Sequence, residues 1–114
     1  TVQLGVANQV TQFTMSDFGR TFKPAAGGGS DHAWGNHHIM IGGAVNGGKM
    51  YGTFPTQILG TGDDGESEGR WIPTTSVDQY AATLAKWFGV ADADLLKVCP
   101  NLNAFANKNL GFMT

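Results

Sequence analysis

The spacing of hydrophobic positions changes character along the chain. In the C-terminal third, Val77, Tyr80, Ala81, Leu84 and Phe88 recur every three or four residues, and Trp87 widens the stripe. That period is the signature of an amphipathic helix. Ser76 stands at the N-cap position, and Gln79 three residues on makes a capping box. Gly89 supplies the stop, so the pattern predicts a helix over residues 77–88. A shorter helix is expected over residues 92–98, ended by Pro100. Beyond it, Leu102, Phe105, Leu110 and Phe112 are apolar at irregular spacing, as in a tail that wraps over existing structure.

The N-terminal part lacks this period. Residues 2–6 read as the tail of a helix that began upstream, with Gly5 as its stop. Residues 9–15 are rich in β-branched and aromatic side chains and run into Ser16-Asp17-Phe18-Gly19, which predicts a strand and a sharp turn. Residues 21–36 have no periodicity and contain Gly27-Gly28-Gly29; a loop of that length in a compact domain is usually functional or disordered. A short extended run is expected at 38–41. Asn46-Gly47-Gly48 leads into residues 49–54 as a turn would, which predicts a β-hairpin. Residues 55–69 are loop again, and 70–73 read as a short edge strand that ends at Pro73. Fourteen of the 17 glycines lie between Gly19 and Gly69, so the loops concentrate there.

Composition narrows the function. At 114 residues the chain is one domain or less. Its net charge is −2, and the seven Lys and Arg residues form no basic run, which argues against nucleic acid as a partner. The acidic cluster at 63–68 is interleaved with Gly and Ser and reads as a solvated loop; the carboxylate order of a calcium loop is missing. Cys99 is alone, cannot form an internal disulfide, and reads as a small buried hydrophobe. No apolar run reaches membrane-spanning length.

The chemistry concentrates between Ser16 and His38. All three histidines, His32, His37 and His38, fall within seven residues, and Asp17 and Asp31 bracket the approach. Imidazole and carboxylate together are a natural ligand set for zinc and similar divalent ions. The same residues have plainer roles: Asp17 and Asp31 can cap turns, and His32 can be a hydrogen-bonded interior residue. His37 and His38 point to opposite faces of an extended backbone, so at most one faces a given metal. Arg20 is placed to contact a phosphate or sulfate, or to lock the loop onto Asp17 or Asp31. Trp34 and Trp71 can offer a sugar-stacking surface, although packing between loops is the commoner use of such rings.

The strings Thr14-Met15-Ser16-Asp17-Phe18-Gly19-Arg20-Thr21 and Gly29-Ser30-Asp31-His32-Ala33-Trp34-Gly35-Asn36-His37-His38, followed by Gly42-Gly43, resemble the DUF1501 family of bacterial proteins. The likeness continues through Tyr51-Gly52-Thr53-Phe54-Pro55, Gly69-Arg70-Trp71-Ile72-Pro73-Thr74-Thr75-Ser76 and the helix to Trp87-Phe88-Gly89. The family is grouped with the sulfatase and alkaline-phosphatase-like superfamily. The resemblance therefore implies an α/β fold: the C-terminal part of an α/β/α sandwich, with long Gly-rich loops and a short β-hairpin. It implies that residues 1–114 are one C-terminal fragment of a larger domain, with the rest of that domain and the nucleophile upstream of Thr1. It also implies export or a periplasmic location.

One departure stands out. The superfamily's strand-end motif is Ser-Asp-His-Gly, whereas here it reads Ser16-Asp17-Phe18-Gly19. Either Asp17 is the strand-end ligand and His32 or His37 completes the site, or Asp31 and His32 form the pair. The expectation is a divalent-metal site, zinc by ligand type, drawn from Asp17, Asp31, His32 and His37, with Arg20 on a small anionic ester. The intact protein would then hydrolyse a phosphate or sulfate ester, and this chain by itself would be inactive. The Phe18 replacement also motivates a different class of protein: a non-catalytic exported binding or assembly module that keeps the fold. A third possibility is a proteolytic remnant or partial subunit.

Overall fold

The computed structural model describes residues 1–114 and divides into two compact units. It combines helices with small strand pairs, a mixed α/β composition. The first unit comprises Thr1–Gln12, Met40–Gly52 and Thr75–Thr114; the second comprises Phe13–Ile39 and Thr53–Thr74.

The first unit is built on helix α1, Val77–Phe88, with the boundaries its periodicity predicts. The Ser76 side chain accepts from the Asp78 N–H, and Gln79 Oε1 accepts from the Ser76 N–H, so the capping box is formed. Gly89 closes the helix in the left-handed region at φ 112°, a conformation that suits glycine. Residues 92–98, expected as one helix, divide into a 3-10 turn at Asp92–Asp94 and a single α-turn, α2, at Leu95–Val98. Pro100 ends this segment and starts a 3-10 helix, Pro100–Ala104, because its fixed φ and missing N–H suit a first helical position.

Two buried clusters hold this unit. Ala82, Leu95, Cys99 and Leu102 form one; Tyr80, Leu84 and Phe112 form the other. Leu102 and Phe112 are fully buried, so the irregularly spaced tail does wrap back onto α1. Thr83 fastens it: its hydroxyl donates to Gln79 O and accepts from the Leu110 N–H, leaving no unmet polar group. Burial pushes the Cys99 thiol pKa up, and the Asp78 charge adds to this, as befits a packing residue.

The expected hairpin at residues 46–54 is not formed. Val45 bridges to Met113 and the Asn46 N–H donates to Phe112 O, so the C-terminal tail takes the pairing that a local return strand would have had. The strand expected over residues 9–15 shortens to β1, Thr11–Phe13, preceded by a 3-10 turn at Ala7–Gln9. It pairs with the strand Met40–Gly42. The helix tail expected at residues 2–6 is instead a hydrogen-bonded turn, with Val6 N–H to Thr1 O, Gly5 N–H to Val2 O and Gly5 at φ 69°.

The second unit is a loop assembly around one antiparallel ribbon. Its strands, β2 at Gly19–Arg20 and β3 at His32–Ala33, pair Gly19 with Ala33 and Arg20 with His32. Gly19 is obligatory: a Cβ there would drive into the carbonyl of Gly35. Thr21 clasps the base of the intervening loop. Its N–H donates to Asp31 O, its hydroxyl accepts from the Asp31 N–H, and the same hydroxyl donates to Lys23 O.

The acidic segment at 63–68 is not simply a solvated loop. Asp64 is buried, and its carboxylate accepts from four backbone N–H groups, those of Gly60, Glu66, Gly69 and Arg70. Asp64 also bridges to buried Trp71, so the expected edge strand at 70–73 reduces to this one bridge. Burial alone would raise the Asp64 pKa, but the four N–H donors together outweigh it and hold the carboxyl below its usual value.

Candidate functional site: a cationic and aromatic ribbon face

The β2–β3 ribbon is two-faced because side chains alternate along a strand. Gly19, Thr21 and Ala33 are buried on one side, while Arg20, His32 and Trp34 are exposed. Arg20 and His32 stand directly opposite each other in the register. Such cross-strand neighbours share a face and lie within interaction range.

Phe18 brings them together. Its ring stacks on the His32 imidazole with centroids 4.0 Å apart and planes at 22°. The Arg20 guanidinium lies 5.1 Å from the same ring, a cation–π distance. Arg20 Nη1 also donates to Ser30 O at 2.9 Å, which fixes the side chain along the ribbon. The turn before the ribbon is held equally firmly. Ser16 Oγ donates to Phe18 O and Asn36 Nδ2 donates to the same oxygen, at 2.9 and 2.8 Å.

The two arginines differ in their partners. Arg70 pairs with Glu66 at 2.9 Å, and its Nε donates to His32 O. Lys23 pairs with Glu68 at 3.0 Å. Arg20 has no ion pair; its partners are a carbonyl and an aromatic ring, so its charge is not neutralised by the chain. The lock onto Asp17 or Asp31 that the sequence allowed is not made.

The other candidate residues are dispersed around this face. Asp17 lies in the exposed turn before Phe18, and Asp31 is exposed at the loop base beside His32. His37 stacks on Phe54 with centroids 4.7 Å apart, and His38 Nδ1 lies 3.4 Å from Thr14 Oγ1. No three His, Cys, Asp or Glu side chains are gathered into a group that could hold a metal ion. Of the four expected ligands, the structure sets His32 against Phe18 and His37 against Phe54, and leaves Asp17 and Asp31 exposed.

Two features escaped sequence reasoning. Arg70 reaches the His32 carbonyl from a segment 38 positions away, a contact no local pattern reveals. Asp64 organises the loop that carries Arg70, and its only signal was its place among glycines, where backbone N–H groups can converge on a carboxylate. Of the two tryptophans in this unit, Trp71 packs in the interior at 6% exposure, whereas Trp34 is 50% exposed.

No helix is long and apolar enough to cross a membrane. No curated protein and no solved structure matches the chain. The sequence profile of "Protein of unknown function (DUF1501)" does match, over residues 2–96, and the chain belongs to that family.

Proposed function

We propose that this chain supplies the anion-contacting wall of a phosphate- or sulfate-ester hydrolase, with Arg20 as the contact. The observation that carries the reading is an exposed, fixed guanidinium with no carboxylate partner. A planar guanidinium suits the oxygens of either anion, and prior positioning lowers the entropic cost of binding. In this reading the chain is the C-terminal part of an alkaline-phosphatase-like α/β/α sandwich, and the nucleophile and the remainder of the domain lie upstream. The exposed apolar side chains Met15, Ile39, Phe54, Ile58 and Ile72 of the second unit support a covering partner of that kind. Export to the periplasm belongs to the same reading and rests on family resemblance.

A divalent metal, zinc by ligand type, drawn from Asp17, Asp31, His32 and His37, belongs to the same reading, and no step is assigned to it. Elemental analysis of the intact protein and its His32→Ala variant tests the point: equal metal content removes His32 from any such site.

The ring stacks of His32 on Phe18 and of His37 on Phe54 favour a second reading, a non-catalytic binding module that keeps the fold. One experiment separates the two. The intact protein is titrated with inorganic phosphate and sulfate and assayed on aryl phosphates and sulfates. Arg20→Ala is expected to weaken anion binding about 10- to 100-fold, as loss of a charge-assisted contact does. Unchanged binding in the variant would sink the role of Arg20. Turnover supports the hydrolase, and binding without turnover supports the module.

A further inference from the structure

We propose that Asn46-Gly47 is a self-modification site, where the side-chain amide is lost through a cyclic imide, and that the docked C-terminal tail and Tyr51 hold the reaction back. The inference is independent of Arg20. Asn46 is the one asparagine of the chain followed by glycine, and a glycine has no Cβ to impede its own nitrogen. The Asn46 carboxamide is exposed and makes no hydrogen bond to the chain. The Gly47 nitrogen, its proton taken by hydroxide, attacks Asn46 Cγ. That N–C bond forms, the Cγ–Nδ2 bond breaks, and ammonia leaves with a proton from water. Water then opens the ring. Opening at Cγ leaves aspartate; opening at the main-chain carbonyl leaves isoaspartate, with the backbone rerouted through Cβ and longer by a methylene. Nothing is oxidised, and water and hydroxide are the only co-reactants.

The fold restrains the peptide that must turn for this attack. The Asn46 N–H donates to Phe112 O at 2.9 Å, and Phe112 is fully buried, so this restraint is anchored in the core. The Tyr51 hydroxyl donates to Asn46 O at 2.7 Å. The Gly47 N–H donates to Val45 O at 2.9 Å, closing a three-residue turn and tying up the proton that has to leave. Attack requires the last of these bonds to break and the carbonyl held by Tyr51 to swing, so each bond adds to the barrier. The isoaspartate product cannot restore the turn, because the added methylene separates the Gly47 nitrogen from Val45 O. Asp64-Gly65 has the same spacing and a different fate. Its buried carboxylate accepts from four backbone N–H groups, which keeps it ionised and a poor electrophile.

The test incubates the full chain at mildly alkaline pH, folded and in urea, and follows residue 46 by peptide mass spectrometry and isoaspartyl methyltransferase labelling. Conversion is expected in both states, about tenfold or more slower in the folded one, as the restraining hydrogen bonds require. Tyr51→Phe keeps the ring edge-on to Phe112 and should speed folded-state conversion about two- to tenfold, the worth of one hydrogen bond, without changing the rate in urea. A Cβ at residue 47 would meet only Val45 O at 3.9 Å, so Gly47→Ala suits the fold and should lose most of the conversion in both states. No isoaspartate at residue 46 in urea, or full conversion in Gly47→Ala, overturns the site. Equal rates folded and in urea, or an unchanged folded-state rate in Tyr51→Phe, overturn the restraint.

Discussion

His32 lies face to face with Phe18, ring centroids 4.0 Å apart, so the histidine of the Asp31-His32 pair rests on the aromatic ring of the turn that precedes the ribbon. The turn thus gains an imidazole from across the ribbon. A ring proton above an aromatic face is shielded, so the His32 ring protons should resonate upfield of those of an unstacked histidine. Phe18→Leu should return them to ordinary positions in the proton NMR spectrum. Unshifted resonances in the unaltered protein would refute the stack.

Asp64 predicts a pH dependence. Its folded-state pKa is depressed, so its contribution to stability is present above the unfolded carboxylate value of about 4 and is lost as the pH falls through the lower folded value. Denaturant midpoints should therefore decline over that acidic window. Asp64→Asn should lower the midpoint at neutral pH and flatten the acidic decline, because an amide cannot accept from all four N–H groups through charged oxygens. A parallel decline in the variant would assign the acid sensitivity to other carboxyls.

Helix α1 and its tail offer two calibrated substitutions. Ser76→Ala removes the cap that accepts from Asp78 and should cost about 1 kcal/mol. Leu102→Ala empties a fully buried position between α1 and α2 and should cost roughly 2–5 kcal/mol. Urea unfolding monitored by circular dichroism measures both, and a cost for Ser76 exceeding that for Leu102 would contradict the packing described.

Thr11 runs the other way. Its hydroxyl is buried without a hydrogen-bond partner. An unmet buried hydroxyl costs roughly 1–3 kcal/mol, so Thr11→Val should leave thermal stability unchanged or raise it. A clear loss would reveal a partner for that oxygen.

The parts of the fold that were legible in the sequence are those whose determinants are local. Ser76, Gln79 and Gly89 mark both ends of α1 because caps act within one turn of the chain. The hairpin expected after Asn46 failed for the opposite reason. Its pairing went to Phe112 and Met113, dozens of positions away, and a turn signal carries no information about a distant competitor. The candidate site divides along the same line. Arg20 and His32 were identified by residue type, but their juxtaposition depends on the ribbon register, and the Arg70 contact depends on how Asp64 gathers its loop.

The Thr21–Asp31 clasp has a structural consequence. Two hydrogen bonds close the glycine-rich excursion at its base, so changes of length within it need not reach the ribbon. Doubling such an excursion adds only about 0.6 kcal/mol of closure entropy. The stretch around Gly27, Gly28 and Gly29 can therefore lengthen, shorten or change its side chains while Arg20 and His32 keep their alignment.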